Sequence, residues 1–193
     1  MALKAGISVW MRLLLVCIVL IIAGFLLRGW LYRQLIIYES VGQRTVYAVQ
    51  APELVTYIEQ ECAGIENGDI QSIIQLGLSL TSRQLNFTTS NNNKDPNKLI
   101  ESKTAHCVGY AAFFTSTCNF LLRKFNLDGA WTAKHQIGQL YLFGANIHHY
   151  FNTPFFKDHD FVTIENKATG VIFAVDPSVN DYLLIDFVNF KKQ

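Results

Sequence analysis

The chain changes from a polar loop to an apolar helix within residues 103–114, KTAHCVGYAAFF, and Cys107 lies at the junction. A solvated run rich in charged and amide side chains, residues 94–103, comes before it. After it, apolar residues recur at helical spacing as far as Phe125, and Arg123 and Lys124 stand where cations favour a helix C-terminus. The pattern predicts a helix that begins at Cys107 and buries an apolar face.

A cysteine in the first turn of a helix is well placed to act as a nucleophile. Unpaired backbone N–H groups and the positive end of the helix dipole both favour the thiolate, and the same N–H groups can receive an oxyanion. A free cysteine is equally common as a small buried apolar residue without chemistry. From this stretch alone, both interpretations of Cys107 stay open.

Two downstream motifs favour the chemical interpretation. HDFVTI, residues 159–164, reads as the start of a strand, and VDPS, residues 175–178, ends the next strand with Asp176, 17 residues after His159. Neighbouring strands of a hairpin can bring these two side chains together. The thiolate would attack a carbonyl carbon, His159 would carry the thiol proton to the leaving amine, and Asp176 would orient the imidazole.

Two nearby acids compete with Asp176 for the orienting role. Asp160 points to the opposite strand face from His159, and Asp158 precedes the predicted strand. Asp176 is therefore preferred, although an Asp-Pro pair also occurs simply as a turn.

Together, these motifs resemble the transglutaminase-like superfamily of papain-type cysteine enzymes. The resemblance covers about residues 52–190 and rests on the CVGYA helix start at 107–111, the His-x-aromatic-x-x-hydrophobic pattern of 159–164 and VDPS. It implies an α+β fold with a papain-like core, in which the nucleophile at a helix N-terminus packs on an antiparallel sheet. It also implies a catalytic triad of Cys107, His159 and Asp176.

The sequence departs from that family's pattern in two places. Phe161 stands where relatives often have tryptophan, and no clear side-chain oxyanion donor comes before the cysteine. Gln84 is the candidate for the oxyanion donor, with the exposed end of a helix as its alternative reading.

Other histidines lie near the same region of the predicted fold. His148 and His149 are expected in a loop beside the site, where they bind substrate or form polar surface. His106 precedes the nucleophile and either modulates the thiolate or is exposed. Because the chain has neither a Cys-x-x-Cys motif nor paired histidines at helical spacing, no metal or cofactor is predicted.

The four cysteines do not suggest a disulfide framework. Cys118 lies three helical turns after Cys107, roughly 16 Å along the axis. A disulfide needs Cα atoms within about 7 Å, so these two cannot be bridged.

Composition limits the classes of protein that the chain can be. Its 193 residues are 50% hydrophobic and 16% charged, with a formal net charge of +1. That allows one membrane segment and one domain of about 150 residues. The near-neutral balance argues against a nucleic-acid partner, which usually requires a basic face.

Residues 7–27 are the most apolar part of the chain and predict a single membrane-spanning helix that contacts the lipid bilayer. Residues 13–27 carry no charge, Arg12 and Arg28 can extend to the polar interfaces, and Trp10 and Trp30 suit those interfaces. A cleaved signal peptide and a buried soluble helix are the alternatives. The short N-terminal tail favours a signal anchor with the domain outside the cytoplasm, although arginines on both sides do not decide the orientation.

The predicted organisation is an anchor at 1–33, a connector at 34–51 that begins as a helix, and a transglutaminase-like domain at 52–193. Within the domain we predict helices from Pro52 and after Asp69, then a short strand at 85–89. A surface loop at 90–98 precedes the cysteine. Strands are predicted at 130–135, 138–144, 161–165, 171–175 and 182–188.

The predicted function is that of a membrane-anchored cysteine enzyme that cleaves or transfers amide or peptide bonds through an acyl-thioester on Cys107. A peptidase is favoured over a transglutaminase, because nothing indicates a second substrate site. Its partners would be a peptide or protein substrate and other membrane proteins. The alternative is a catalytically inactive binding or scaffold module within a membrane complex.

Overall fold

A computed structural model describes residues 8–65, 68–90 and 92–192. In these residues the chain is a mixed α+β structure with seven α-helices and a mostly antiparallel sheet. The helices are α1 Val9–Leu26, α2 Arg28–Leu35, α3 Pro52–Glu61, α4 Ile70–Gln84, α5 Pro96–Ser102, α6 Cys107–Lys124 and α7 Pro177–Leu183. The strands are β1 Ile36–Gln43, β2 Asn86–Phe87, β3 Thr104–Ala105, β4 Trp131–Leu142, β5 Ala145–Asn146, β6 His159–Asn166, β7 Ile172–Val175 and β8 Asn189–Lys191.

The main sheet has the strand order β7-β6-β4-β1-β8, and β5 folds back onto the end of β4. All of its pairings are antiparallel except that of β1 with β8. A second sheet consists of β2 and β3, which pair in parallel just before α6. The predicted α+β class with a largely antiparallel sheet is therefore confirmed.

Helix α6 forms the centre of the core and begins at Cys107, as predicted. It packs on β4 and β6 and also contacts α4 and α7, so 14 of its 18 residues are buried rather than one face alone. Gly109 in its first turn allows β3 to approach, because a Cβ there would lie 2.6 Å from the Ala105 Cβ. The start of α6 is thus held firmly in the interior.

The predicted connector at 34–51 needs correction. Helix α2 ends at Leu35, and Ile36–Gln43 forms strand β1, which lies inside the sheet between β4 and β8. Tyr38 is completely buried there. A short apolar run fits a helix and a strand equally well by spacing, and here tertiary pairing decides for the strand.

Two other predicted segments also change. Residues 182–188 are not a strand: Pro177 begins helix α7, and the Asp176 carboxylate accepts from the backbone N–H groups of Ser178 and Val179. Within the predicted loop at 90–98, α5 begins at Pro96 with Asp95 as its cap, because the fully buried Leu99 docks it into the core.

The two predicted strands at 130–135 and 138–144 are one continuous strand, β4. Gly138 does not interrupt it. A Cβ at Gly138 would lie 2.5 Å from the Phe161 ring on the neighbouring β6, so glycine is what this close packing requires.

Helix α1 is long and apolar enough to cross a membrane, and none of its residues is buried against the rest of the chain. It is therefore not a core helix of the domain, whereas a signal sequence would share its length and composition. Residues 1–7, which begin the predicted anchor, lie outside the described residues. Immediately after α1, the Arg28 Nε donates to the Leu183 carbonyl oxygen at 2.7 Å and so ties this helix end to α7.

Candidate active site

Cys107 occupies the first position of α6 and is 8% exposed. His106 is the N-cap residue, and its Nδ1 accepts from the Val108 N–H at 3.3 Å. His106 borders the same cavity as Cys107 and acts to lower the pKa of the Cys107 thiol. Of the two roles predicted for His106, an influence on the thiolate is therefore the one that its placement supports.

His159 and Asp176 lie at the same end of the β6–β7 hairpin. His159 begins β6 and Asp176 directly follows β7, because the register pairs Val162 with Val175. The His159 Nε2 lies 2.5 Å from the Asp176 Oδ2, and His159 lines the same cavity as Cys107. Since Nε2 faces the carboxylate, Nδ1 is the ring nitrogen available to the sulfur. The structure thus brings the three predicted triad residues together.

Asp176 is completely buried, and five hydrogen bonds hold its carboxylate. The Oδ1 accepts from the backbone N–H groups of Ser178 and Val179 and from the Ser178 hydroxyl, at 2.6–3.1 Å. The Oδ2 accepts from the Tyr38 hydroxyl at 2.8 Å as well as from His159, and Tyr38 in turn bonds the Tyr32 hydroxyl at 2.6 Å. These contacts fix both the position of the carboxylate and its ionised form.

The two tyrosines were missed in the sequence. Tyr38 lies in the segment predicted as a connector, and Tyr32 lies in the segment predicted as part of the anchor. No local signal marks Tyr38, because the short apolar run at residues 35–38 has the period of neither a strand nor a helix.

The charges of the site favour a thiolate–imidazolium pair. Burial acts to raise the pKa of the Cys107 thiol, but hydrogen bonds from His106 and His159, the charge of His159 and the Asp160 backbone N–H together lower that pKa to about 6. Burial acts to lower the pKa of His159, and the neighbouring Asp176 carboxylate raises it well above its usual value. The proton therefore resides on the imidazole at neutral pH.

A second buried charge cluster supports the site from the other face of β6. The Asp160 carboxylate lies 2.5 Å from the His135 Nε2 and accepts from Arg44 at 2.5 and 2.9 Å. Burial acts to raise the pKa of Asp160, but His135 and Arg44 lower it overall. Because the Asp160 backbone N–H acts to lower the pKa of the Cys107 thiol, this cluster holds in place a residue that acts on the nucleophile. Neither Arg44 nor His135 was singled out in the sequence.

We expect Asp160→Asn to lower the free energy of unfolding by about 3 kcal/mol, because it leaves the buried His135 without its anionic partner and leaves Arg44 with only its longer contact to Asp158, at 3.9 Å. Glu165→Gln is the matched control, since Glu165 pairs with the more exposed Lys134 and Lys192 and should cost less than about 1 kcal/mol. Urea denaturation of both variants measures the difference. Equal losses would contradict a supporting role for the Asp160 cluster.

Two cavities meet at Cys107. The apolar cavity, of about 620 Å³, borders Cys107 and His159 and is otherwise lined mainly by apolar and aromatic side chains, among them Leu140, Ile147, Phe151, Val179 and Leu183. A second cavity, of about 340 Å³, borders Cys107 on another side and is lined by both charged and apolar side chains, among them Arg44, Lys94, Asp158, Pro154 and Phe155. We call it the polar cavity for its charged groups. The sulfur thus lies between an apolar cavity and one that also carries charged side chains.

The other predicted site residues, Gln84, His148 and His149, lie at different places relative to the two cavities. Gln84 does not line either cavity, and its amide nitrogen donates to the Ile100 carbonyl oxygen at 2.7 Å, so this placement gives no support to its predicted oxyanion role. His148 is buried and lines the apolar cavity, whereas His149 is exposed and lines neither. Only His148 of this pair is therefore positioned to meet a substrate.

Across the described ranges, no three His, Cys, Asp or Glu side chains are grouped so that they could hold a metal ion. A scan against models of known protein families finds no match for this chain, and a search of curated proteins finds none either. Membership of the transglutaminase-like superfamily therefore stays a prediction.

Proposed function

We propose that this protein is a membrane-anchored cysteine enzyme of the transglutaminase-like type, which cleaves or transfers amide bonds through an acyl-thioester on Cys107. The observation that carries the proposal is the arrangement of three groups. A thiol with a pKa of about 6 contacts an imidazole, whose Nε2 lies 2.5 Å from a buried carboxylate. A cysteine that only filled space would need neither partner.

The reaction begins with the thiolate of Cys107 attacking the amide carbon. A bond forms between the sulfur and the acyl carbon, the carbon–nitrogen bond breaks, and the His159 imidazolium gives its proton to the leaving amine. Water, activated by the now neutral His159, then attacks the thioester and releases the acid and the thiol. Hydrolysis is favoured over transfer, because transfer requires an amine that outcompetes water.

The oxyanion that forms during attack needs hydrogen-bond donors. The N–H groups of Cys107 and Gly109 at the start of α6 are the donors that this proposal uses, because backbone N–H groups at a helix start have no intrahelical acceptor and the Val108 N–H already donates to the His106 Nδ1. Gln84 does not supply this donor, since its amide nitrogen donates to the Ile100 carbonyl oxygen.

Helix α1 serves as the membrane anchor in this proposal, with the domain outside the cytoplasm. Support comes from its apolar length and from the absence of any buried residue in it. Substrates would then lie at or near the bilayer surface.

We expect the alkylation rate of Cys107 by iodoacetamide to reach half of its plateau near pH 6, because the rate follows the thiolate fraction, which rises as pH passes the thiol pKa. An ordinary thiol would reach half of its plateau rate at about pH 8.5.

In His159→Gln the midpoint of this pH profile should move upward, since burial raises the thiol pKa once the imidazolium is lost. Peptide mapping by mass spectrometry separates Cys107 from Cys17, Cys62 and Cys118. A midpoint near pH 8.5 in the unmodified protein contradicts the activated thiolate.

The alternative function is an inactive binding or scaffold module in a membrane complex. One observation favours it, namely that the Gln84 amide is engaged with a backbone carbonyl and offers no side-chain oxyanion donor. Loss of one such donor typically costs about a hundredfold or more in rate. The Cys107 substitutions described in the Discussion separate the two functions.

A further inference from the structure

The apolar cavity beside Cys107 is poorly suited to a polypeptide backbone. Its walls come from β4, α7 and two 3-10 turns, Ile147–Tyr150 and Pro154–Phe156, and they consist mainly of aliphatic and aromatic side chains. A peptide lying there would leave most of its N–H and C=O groups without hydrogen-bond partners, which is costly. Its volume of about 620 Å³ is in the range of small-molecule sites. An apolar chain is the occupant that such walls fit.

One residue that lines this cavity carries a buried polar atom without a partner. His148 is 6% exposed, and its Nδ1 lies 2.7 Å from the Phe156 carbonyl oxygen, to which it must donate because a carbonyl only accepts. Its Nε2 has no hydrogen-bond partner among the described residues. In the neutral ring, Nε2 therefore offers a lone pair to an N–H or O–H donor. A buried unpaired polar atom on a residue that lines the same cavity as Cys107 points to a substrate that brings its own donor.

The wall of the cavity continues to the end of the apolar helix α1. Leu183 lines the cavity, and its carbonyl oxygen accepts from Arg28, the second residue after α1. Leu183 and Leu184 are 47% and 60% exposed. Phe143, which is 80% exposed at a hairpin tip with φ +49°, donates its N–H to Leu35 at the end of α2. Exposed apolar side chains therefore surround the point where the chain would leave the bilayer.

We propose that the apolar cavity takes the long acyl chain of a membrane-borne N-acyl amide, and that the His148 Nε2 accepts a hydrogen bond from its amide N–H. This substrate class rests on the proposed function. The acyl carbon lies at the Cys107 sulfur, and the polar amine portion lies in the polar cavity. Attack transfers the acyl chain to sulfur as the carbon–nitrogen bond breaks, the amine leaves with the His159 proton, and water then releases the fatty acid.

The chain-length test uses the full-length protein in phospholipid nanodiscs with p-nitrophenyl acetate and p-nitrophenyl octanoate. Nitrophenol release gives the rate, and intact mass gives the acyl adduct on Cys107. Each buried methylene contributes about fourfold to the acylation rate. Even with partial burial of its longer chain, the octanoyl ester should therefore acylate Cys107 at least about fiftyfold faster than the acetyl ester.

Leu183→Asn should lower the ratio of the octanoyl rate to the acetyl rate by at least about fivefold. Val171→Asn is the matched control: Val171 is 49% exposed, lies at the far end of the β6–β7 hairpin, and should leave the ratio unchanged. Partition of the ester into lipid is the same for all three proteins.

The His148 test compares octanoyl p-nitroanilide, which carries an N–H, with the octanoyl ester, which does not. Asparagine can keep the donor to Phe156 but has no atom at the Nε2 position. His148→Asn should therefore slow acylation by the anilide up to about tenfold relative to the ester. His148→Gln, which places a polar atom near Nε2, should restore part of that difference. A merely structural role of His148 would affect both substrates equally.

The outcomes separate the two levels of the proposal. If neither ester forms an adduct on Cys107, the proposed function fails and the acyl-chain assignment fails with it. If both esters form adducts at equal rates, or if Leu183→Asn leaves the ratio unchanged, the acyl-chain assignment is overturned while the cysteine enzyme stands. Equal slowing of anilide and ester in His148→Asn overturns the part given to His148.

Discussion

Replacing Cys107 by serine is expected to lower amide or ester hydrolysis by at least about a thousandfold, because serine is far less acidic than a thiol and the site forms no thiolate–imidazolium pair with it. The melting temperature should change little, since the hydroxyl is close in size to the thiol and keeps His106 and His159 as hydrogen-bond partners. Hydrolysis of p-nitrophenyl esters and a thermal scan by circular dichroism measure the two quantities.

Asp176→Asn tests the same unit from its other end. The amide has only one acceptor oxygen, so its NH2 group must face either Tyr38 and His159 or the donors of Ser178 and Val179. Activity should therefore fall by some orders of magnitude, and stability should fall as well. Because triad members act together, the double variant with Cys107→Ser should be little worse in activity than Cys107→Ser alone.

If Cys107→Ser unfolds the domain, the cysteine is a packing residue. If it leaves biological activity intact, the binding module is the better description.

A chain that begins at residue 34 is expected to fold, whereas one that begins at residue 52 should not. The longer version keeps strand β1, which pairs with β4 from Ile36 to Gln43 and with β8 from Ile37 to Glu39. The shorter version loses β1 and the fully buried Tyr38, so β4 is left with an open edge, β8 has no partner, and Asp176 lacks a donor. Far-UV circular dichroism and the cooperativity of urea unfolding distinguish the two chains.

The control for this truncation is the full-length protein in detergent. The chain from residue 34 loses the Arg28 contacts to α7 and the Tyr32–Tyr38 hydrogen bond, so a modest drop in melting temperature is expected. A cooperative transition in the chain from residue 52 would show that β1 is dispensable. It would then favour the domain boundary that the sequence predicts.

Local patterns in the sequence were sufficient to predict several helix starts and one hairpin. Pro52 and Asp69 mark helix starts because proline and a capping carboxylate satisfy the requirements of a first turn, and α3 and α4 begin there. The change from polar to apolar residues at Cys107 marks the start of α6, and the glycine-containing loop after Asn166 marks the β6–β7 hairpin. The order of the triad residues was likewise readable, because each one stands at the end of an element with its own local signal.

The sequence by itself therefore determined the α+β class, the apolar N-terminal helix, the start of α6, and the choice of Cys107, His159 and Asp176 as candidates. Only the tertiary structure decided that residues 36–43 are a strand, since the short apolar run at residues 35–38 has no distinctive period until a partner strand pairs with it. Only the tertiary structure could bring Tyr38, Arg44 and His135 to the site, because their partners Asp176 and Asp160 are 138, 116 and 25 residues away along the chain. The same holds for the unpaired His148 Nε2, because whether a histidine in a loop is buried depends on which walls fold over it.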